Sequence, residues 1–118
     1  MHSELGEEGE IWFGEDSEEV IVDWVIERFD PAASPRVLDL GTGNGHLLHV
    51  LAEAGFATSQ MVGIDYSPAA IELAEAIAKR RDVEDITFET VDIFSGDLAR
   101  LGSFDLVLDK VLWTSSKS

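Results

Sequence analysis

Three glycines at alternate positions, Gly41, Gly43 and Gly45, directly follow the short apolar run 37–40. Glycine adopts positive φ angles at little cost, and it lets the backbone come close to a ligand. If a helix begins after this loop, its free N–H groups favour a negatively charged ligand. The stretch VLDLGTGNG therefore predicts a nucleotide-binding loop at the C-terminal end of a strand.

Acidic residues end or follow two later apolar runs. Asp65 ends the run 60–65, and Asp92 comes directly after the run 86–91. In a parallel sheet both acids lie at the same edge as the glycine loop. The carboxylate of Asp65 can accept hydrogen bonds from ribose hydroxyls, and that of Asp92 from an adenine amino group.

The class of nucleotide stays open on these residues alone. A dinucleotide fingerprint reads G-x-G-x-x-G, with an acidic residue about 20 positions later. Here the spacing is G-x-G-x-G, with Asn44 alone between the second and third glycines, and Asp39 stands two residues before the first. Asp65 could bind the ribose of a dinucleotide or of another nucleoside cofactor alike. The glycine spacing, however, disfavours a nicotinamide dehydrogenase.

These residues need a sheet and helices to hold them in place. Short apolar runs predict strands over 36–40, 60–65, 86–91 and 104–108. Apolar residues at helical spacing predict helices over 16–29, 46–54 and 67–81, with a short helix over 96–101. Ser67 and Pro68 suit an N-cap and a first helical position. The alternation predicts an α/β fold, in which a parallel sheet has helices on both faces.

Composition limits the partners. The chain has 118 residues, 24 acids and 8 bases, for a net charge of −16, and residues 1–30 alone carry −10. This charge repels nucleic acid and anionic membranes, so we expect neither as a partner, whereas a basic protein would suit it. There is no cysteine, and His2, His46 and His49 do not form a metal-binding set. Without a secretory signal we expect the cytoplasm, with the nucleus as a second location.

Four motifs in order resemble those of class I S-adenosylmethionine-dependent methyltransferases: VLDLGTGNG, GIDYS, ETVDIF and FDLVLDK. GEIWFGE at 9–15, GIDYSPAAIELA at 63–74 and the pair Asp109-Lys110 are similar to the lysine methyltransferases that modify translation elongation factor 1-alpha. The resemblance implies a Rossmann-like sheet with strand order 3-2-1-4. It also implies S-adenosyl-L-methionine as methyl donor and a protein substrate, elongation factor 1-alpha.

The resemblance assigns roles to individual residues. The glycine loop would lie against the methionine part of the cofactor, Asp65 would bind the ribose, and Asp92 would meet the adenine amino group. Trp12 and Phe13, in the stretch GEIWFGE, would close over the cofactor-binding cleft, and an acid at the end of the fourth strand would face the lysine amine. The cofactor-binding residues implied are Trp12, Asp39, Gly41, Thr42, Gly43, Asp65, Tyr66, Asp92 and Ile93, and the catalytic residue is Asp109.

The resemblance stops after Lys110. Members of the family continue with Gly-Thr-Phe-Asp and a second half-domain, whereas this chain continues with VLWTSSKS. We therefore divide it into an acidic lead-in over 1–10, a partial S-adenosylmethionine-binding domain over 11–110 and a divergent tail over 111–118. Strand 104–108 is then expected to be an unpaired edge that invites association, in contrast to a monomeric full-length protein. We also expect weak or no methyl transfer by this chain.

Three functions fit these observations. A protein-lysine methyltransferase of elongation factor 1-alpha is favoured. A non-catalytic module that binds S-adenosylmethionine or a partner protein is the first alternative. A small-molecule methyltransferase is the second, because the cofactor motifs are shared across substrate classes.

Overall fold

The computed structural model describes residues 4–5, 10–12, 18–92 and 97–109. Three α-helices are formed, and among the described residues none is long and apolar enough to cross a membrane. The helices are α1 (Glu18–Arg28), α2 (His46–Glu53) and α3 (Pro68–Arg80). The strands are β1 (Glu4–Leu5), β2 (Glu10–Trp12), β3 (Val37–Leu40), β4 (Met61–Asp65), β5 (Thr87–Thr90) and β6 (Leu106–Asp109). Short 3₁₀ turns cover Pro31–Ala33, Thr58–Gln60 and Asp97–Leu101.

The strands form one sheet with the order β1-β2-β6-β3-β4-β5. The four strands expected from the sequence are β3, β4, β5 and β6, and they pair in parallel in the order β5-β4-β3-β6. This is the predicted order 3-2-1-4, which is confirmed. The predicted runs differ from these strands by one or two residues at their ends, which is the ordinary uncertainty of element boundaries.

The expectation of an unpaired edge at the fourth predicted strand was wrong. Strand β2 pairs in parallel with β6, with Glu10 opposite Val107 and Ile11 opposite Leu108. Strand β1 then pairs antiparallel with β2. Val107 and Leu108 of β6 are therefore paired on both sides, so β6 is not an edge strand. The division of the chain into three parts stays a prediction, although Glu4–Leu5 lies in a strand.

The three α-helices lie on one face of the sheet. Their apolar residues join one core cluster with alternate residues of the strands, including Val37, Met61 and Leu106. The opposite face carries Leu38, Leu40, Val62, Ile64 and Val91, against which Leu101 and Phe104 pack. Two successive right-handed crossovers in one direction, β3 to β4 to β5, place α2 and α3 on the same side. Helices were predicted on both faces. Among the described residues all three α-helices lie on one face, and the other face has only the 3₁₀ turn Asp97–Leu101.

Arg36 fixes β6 against β3. Its backbone N–H donates to the carboxylate of Asp105 (2.8 Å), and its carbonyl accepts from the N–H groups of Asp105 and Leu106. The guanidinium lies over the ring of Phe104, 4.4 Å from its centroid, and donates to the carbonyls of Leu101 and Ser103. These contacts set a register that puts Leu40 opposite Asp109 at the far end of both strands.

Candidate functional site

The C-terminal ends of the parallel strands bring the predicted site residues to one edge. Gly41 follows β3, Asp65 ends β4, Asp92 comes shortly after β5, and Asp109 ends β6. Strands β3 and β6 are neighbours in the sheet. From β3 the chain runs in one direction to β4 and β5, and it then returns past β3 to reach β6, so the connections to either side of this pair lie on opposite faces of the sheet. Such a reversal is where open α/β sheets bind ligands.

The glycine loop turns through three left-handed residues. The φ angles of Gly41, Gly43 and Gly45 are 71°, 59° and 79°. Other residues rarely adopt these values, so the conformation explains the glycine at each position. Between them, the N–H of Thr42 donates to the carbonyl of Ile64 (2.8 Å) and ties the loop to β4. The N–H of Gly45 donates to the carbonyl of Thr42 (2.9 Å) and closes the turn before α2.

Asp39 and Thr42 form a buried pair under this loop. The hydroxyl of Thr42 donates to Oδ2 of Asp39 at 2.9 Å. The exposed fraction is 0% for Asp39 and 3% for Thr42. Both were predicted to bind cofactor, and that role stays a prediction. In this conformation their side chains bond each other beneath the loop.

Asp65 ties the glycine loop to the start of α3. Its Oδ2 accepts from the N–H of Gly43, and its Oδ1 from the N–H of Ser67, both at 3.0 Å. The hydroxyl of Ser67 in turn accepts from the N–H of Ala70, so the predicted N-cap is formed. Each carboxylate oxygen has two lone pairs, and one backbone bond to each leaves capacity for a further donor. The carboxylate is therefore held in a fixed orientation with acceptor sites remaining.

The described residues leave space beside the loop. Apart from the chain neighbours of Gly43, none of their atoms would lie within 4 Å of a Cβ atom placed on this residue. Tyr66, next to the carboxylate, is 76% exposed, and Asp92 is exposed at the end of the neighbouring strand. The structure thus brings Gly43, Asp65, Tyr66 and Asp92 to one accessible edge. Ile93 lies outside the described residues.

The backbones of Trp12 and Asp109 reach the same edge. Trp12 is one residue beyond Ile11 in β2, and Asp109 is one residue beyond Leu108 in β6. Since Ile11 and Leu108 are opposite each other in parallel strands, the two ends are neighbours. The sequence placed both residues near the site, but it did not predict that a strand pair would join them.

Ser67, Gly63 and Phe88 are structurally tied to the site but were not among the predicted site residues. Ser67 was identified only as a helix cap, and its N–H also bonds the carboxylate of Asp65. Gly63 leaves room in β4 for the side chains of Thr42 and Phe88. The available signal was Gly63 itself, because a glycine inside an apolar strand often marks a close approach of neighbouring groups.

His46 and His49 lie in α2, three residues apart. Within the part of the chain that the structure describes, no three His, Asp or Glu side chains are placed to hold a metal ion. His49 is 2% exposed, and its Nε2 is buried without a hydrogen-bond partner among these residues. Burial, and then the charges of Arg81 and His46, lower the pKa of His49 below its ordinary 6.5, against a smaller opposing effect of Glu53.

This buried imidazole predicts a loss of stability in mild acid. A lowered pKa means that the unfolded chain binds more protons than the folded one once the pH falls below about 6.5. The free energy of unfolding should then decrease with falling pH, by up to about 1.4 kcal/mol per pH unit from this group. Urea unfolding of the wild type and His49→Gln over about pH 5 to 7.5 measures the difference. Equal slopes for the two proteins would contradict the prediction.

A family model described as "Methyltransferase domain" matches residues 32–117. The chain is 44% identical to the protein-lysine N-methyltransferase efm4 of Schizosaccharomyces pombe, over 92% of this chain and 50% of the relative. It is 40% identical to the EEF1A lysine methyltransferase 2 of Homo sapiens, over 91% of this chain and 44% of the relative. The chain therefore spans about half the length of the curated relatives that it matches.

The fold also resembles solved structures. The bifunctional kinase-methyltransferase WbdD superposes with a TM-score of 0.65 at 28% identity, over 92% of this chain and 27% of that one. The match covers most of the sheet and helices described above.

Proposed function

Because this chain belongs to the methyltransferase domain family, we propose that its site binds S-adenosyl-L-methionine and that the whole protein is a protein-lysine N-methyltransferase. The observation that carries the cofactor proposal is the contact between the N–H of Gly43 and the carboxylate of Asp65 beside open space. It supports the proposal because an acidic acceptor, suited to ribose hydroxyls, and a glycine backbone that a ligand can approach lie within one hydrogen bond of each other.

The described residues fit the two ends of this cofactor. The ribose hydroxyls would donate to the remaining lone pairs of Asp65, whose orientation is already fixed by two backbone donors. The loop from Gly41 to Gly43 would lie against the methionine part, where its left-handed turns keep side chains out of the way. Exposed Tyr66 would lie beside the adenine, and Asp92 would accept from the adenine amino group. Ile93 is proposed to pack on the same ring.

The bound cofactor would supply a methyl group on a sulfonium. The residues of this chain would orient that methyl group and the lysine amine that receives it. Transfer needs an in-line approach and an uncharged lysine amine. We place the amine near Asp109, whose carboxylate would accept its protons. Trp12, at the neighbouring strand end, would shield the approach from water. Asp109 is therefore the proposed catalytic residue, and Trp12 lies in the segment that closes the site.

The proposed substrate is elongation factor 1-alpha. The support is that relatives at 38–44% identity are named protein-lysine or EEF1A lysine methyltransferases. A net charge of −16 suits a basic protein surface and disfavours nucleic acid. A cytoplasmic location, with the nucleus as a second one, is part of the same proposal.

Two measurements test the proposal. Calorimetry with S-adenosylmethionine should give saturable binding at one site per chain, and NAD should give none. Incubation of the whole protein with the methyl-labelled cofactor and elongation factor 1-alpha then measures transfer to lysine, because this chain by itself is expected to transfer weakly or not at all. Absence of cofactor binding would overturn the proposal. Binding without labelling of the protein would favour the non-catalytic module, and labelling of small amines alone would favour a small-molecule methyltransferase.

A further inference from the structure

A row of three residues crosses the sheet directly under the glycine loop. Asp39 in β3 is opposite Gly63 in β4, and Gly63 is opposite Phe88 in β5. Residues opposite each other in neighbouring strands point to the same face, and here it is the face that carries the helices, since Phe88 belongs to their core cluster. Gly63 has no side chain, so the row has a gap between the buried Asp39 and the buried ring of Phe88.

The ring of Phe88 and the hydroxyl of Thr42 enter this gap from different sides. A Cβ atom on Gly63 would lie 2.7 Å from Oγ1 of Thr42 and 2.9 Å from both Cδ1 and Cε1 of Phe88. These separations are shorter than van der Waals contact, so only glycine fits there without a shift of its neighbours. Gly63 has no positive φ angle, and the requirement for glycine is therefore steric.

The far end of the same ring contacts the start of α2. A Cβ atom on Gly45 would lie 2.8 Å from Cζ and 3.0 Å from Cε1 of Phe88. One ring from β5 thus fills the space left by two glycines, one in the middle of β4 and one at the end of the glycine loop. Closely packed groups have little freedom to shift, so the ring limits where Gly45 can lie.

We propose that Phe88 is a positioning residue for the glycine loop, acting through Gly45 and Gly63. The ring supports the end of the loop at Gly45, and Thr42 occupies the other side of the gap while it bonds Asp39. A smaller side chain at 88 leaves space into which Gly45 can relax, and the loop then loses the shape that meets the ligand. Phe88 touches no ligand in this scheme. The inference rests on the proposed function only where cofactor affinity is the readout.

The test compares Phe88→Leu with Phe56→Leu in the whole chain. Phe56 is also a buried phenylalanine of the same core cluster, but it lies beyond the opposite end of α2. Calorimetry at a temperature where both variants are folded should show about a tenfold rise in the Kd for S-adenosylmethionine with Phe88→Leu. For Phe56→Leu the rise should stay below about twofold, although both changes lower Tm. Equal effects of the two changes on the Kd would overturn the proposal.

Amide hydrogen exchange provides a readout that needs no cofactor. The N–H groups of Gly43 and Gly45 are bonded to Asp65 and Thr42, and a relaxed loop would expose them more often. Exchange at both should be at least about fivefold faster in Phe88→Leu than in Phe56→Leu. If the wild type binds no cofactor but this difference is seen, the proposed function fails and the positioning role stands. Should Phe88→Leu not fold, Phe88→Met, which keeps most of the volume, is compared instead, and unchanged exchange in the folded variant would overturn the role.

Discussion

Replacing Asp65 with alanine should raise the Kd for S-adenosylmethionine at least about 100-fold, or roughly 3 kcal/mol. The change removes the proposed acceptor for two ribose hydroxyls, and hydrogen bonds to a charged group contribute about 1.5–3 kcal/mol each. It also frees the N–H groups of Gly43 and Ser67, which the carboxylate now holds at 3.0 Å. The loop and the start of α3 would then no longer be joined.

Isothermal calorimetry measures this effect, and Asp85→Ala is the matched control. The carboxylate of Asp85 also accepts a short hydrogen bond, from the hydroxyl of Thr58 at 2.7 Å. It lies shortly before β5, at the opposite edge of the sheet from Asp65. Asp65→Ala loses two hydrogen bonds and Asp85→Ala loses one, but each variant loses one negative charge, so a change in net charge alone would affect them equally. Comparable affinities for the two variants would contradict the proposed role of Asp65.

The four parallel strands β3 to β6 could be predicted because each is encoded locally, whereas their order was predicted from the family resemblance. Every one is a short apolar run. The helical spacing between the first three indicates that a helix connects each strand to the next, which makes the strands parallel. The same reasoning missed β2. Ile11 and Trp12 belong to a three-residue strand with no periodicity of its own, and its partner Leu108 is far along the chain. Pairing between such distant segments is decided by the open edge of β6, which local patterns do not contain.

The candidate site likewise has a part that the sequence could predict and a part that it could not. The loop glycines and Asp65 follow from residue type and from position at a strand end, so the sequence could place them together. The support beneath them depends on register: Gly63 meets Phe88 only because β4 and β5 are paired at that offset. A shift of one residue would turn the ring to the other face. Contacts of this kind cannot be read from single segments, which is why Phe88 was interpreted only as an apolar strand residue.

Alanine at Gly43 and alanine at Gly45 should separate ligand binding from folding. Both glycines have positive φ angles, 59° and 79°, so each substitution costs about 1–2 kcal/mol of backbone strain. At Gly45 the new methyl would also meet the ring of Phe88 at 2.8 Å, and overpacking of this kind adds about 1–3 kcal/mol. At Gly43 the new methyl would have no atom of the described part of the chain within 4 Å, its chain neighbours aside. We therefore expect Gly45→Ala to be the more destabilising change, by about 2 kcal/mol in urea unfolding.

Cofactor affinity should show the reverse dependence. The methyl of Gly43→Ala would stand in the open space that the ligand is proposed to occupy, beside the N–H that bonds Asp65. We expect at least about a tenfold rise in the Kd for S-adenosylmethionine in a protein that is still folded at 25 °C. If Gly43→Ala bound the cofactor as the wild type does, the ligand would not lie against this loop, and the proposed orientation would be wrong.

The stability lost in Gly45→Ala should be recovered in part by a second change, Phe88→Leu, because it removes the ring atoms that the new methyl meets. Urea unfolding of the single and double variants measures this recovery.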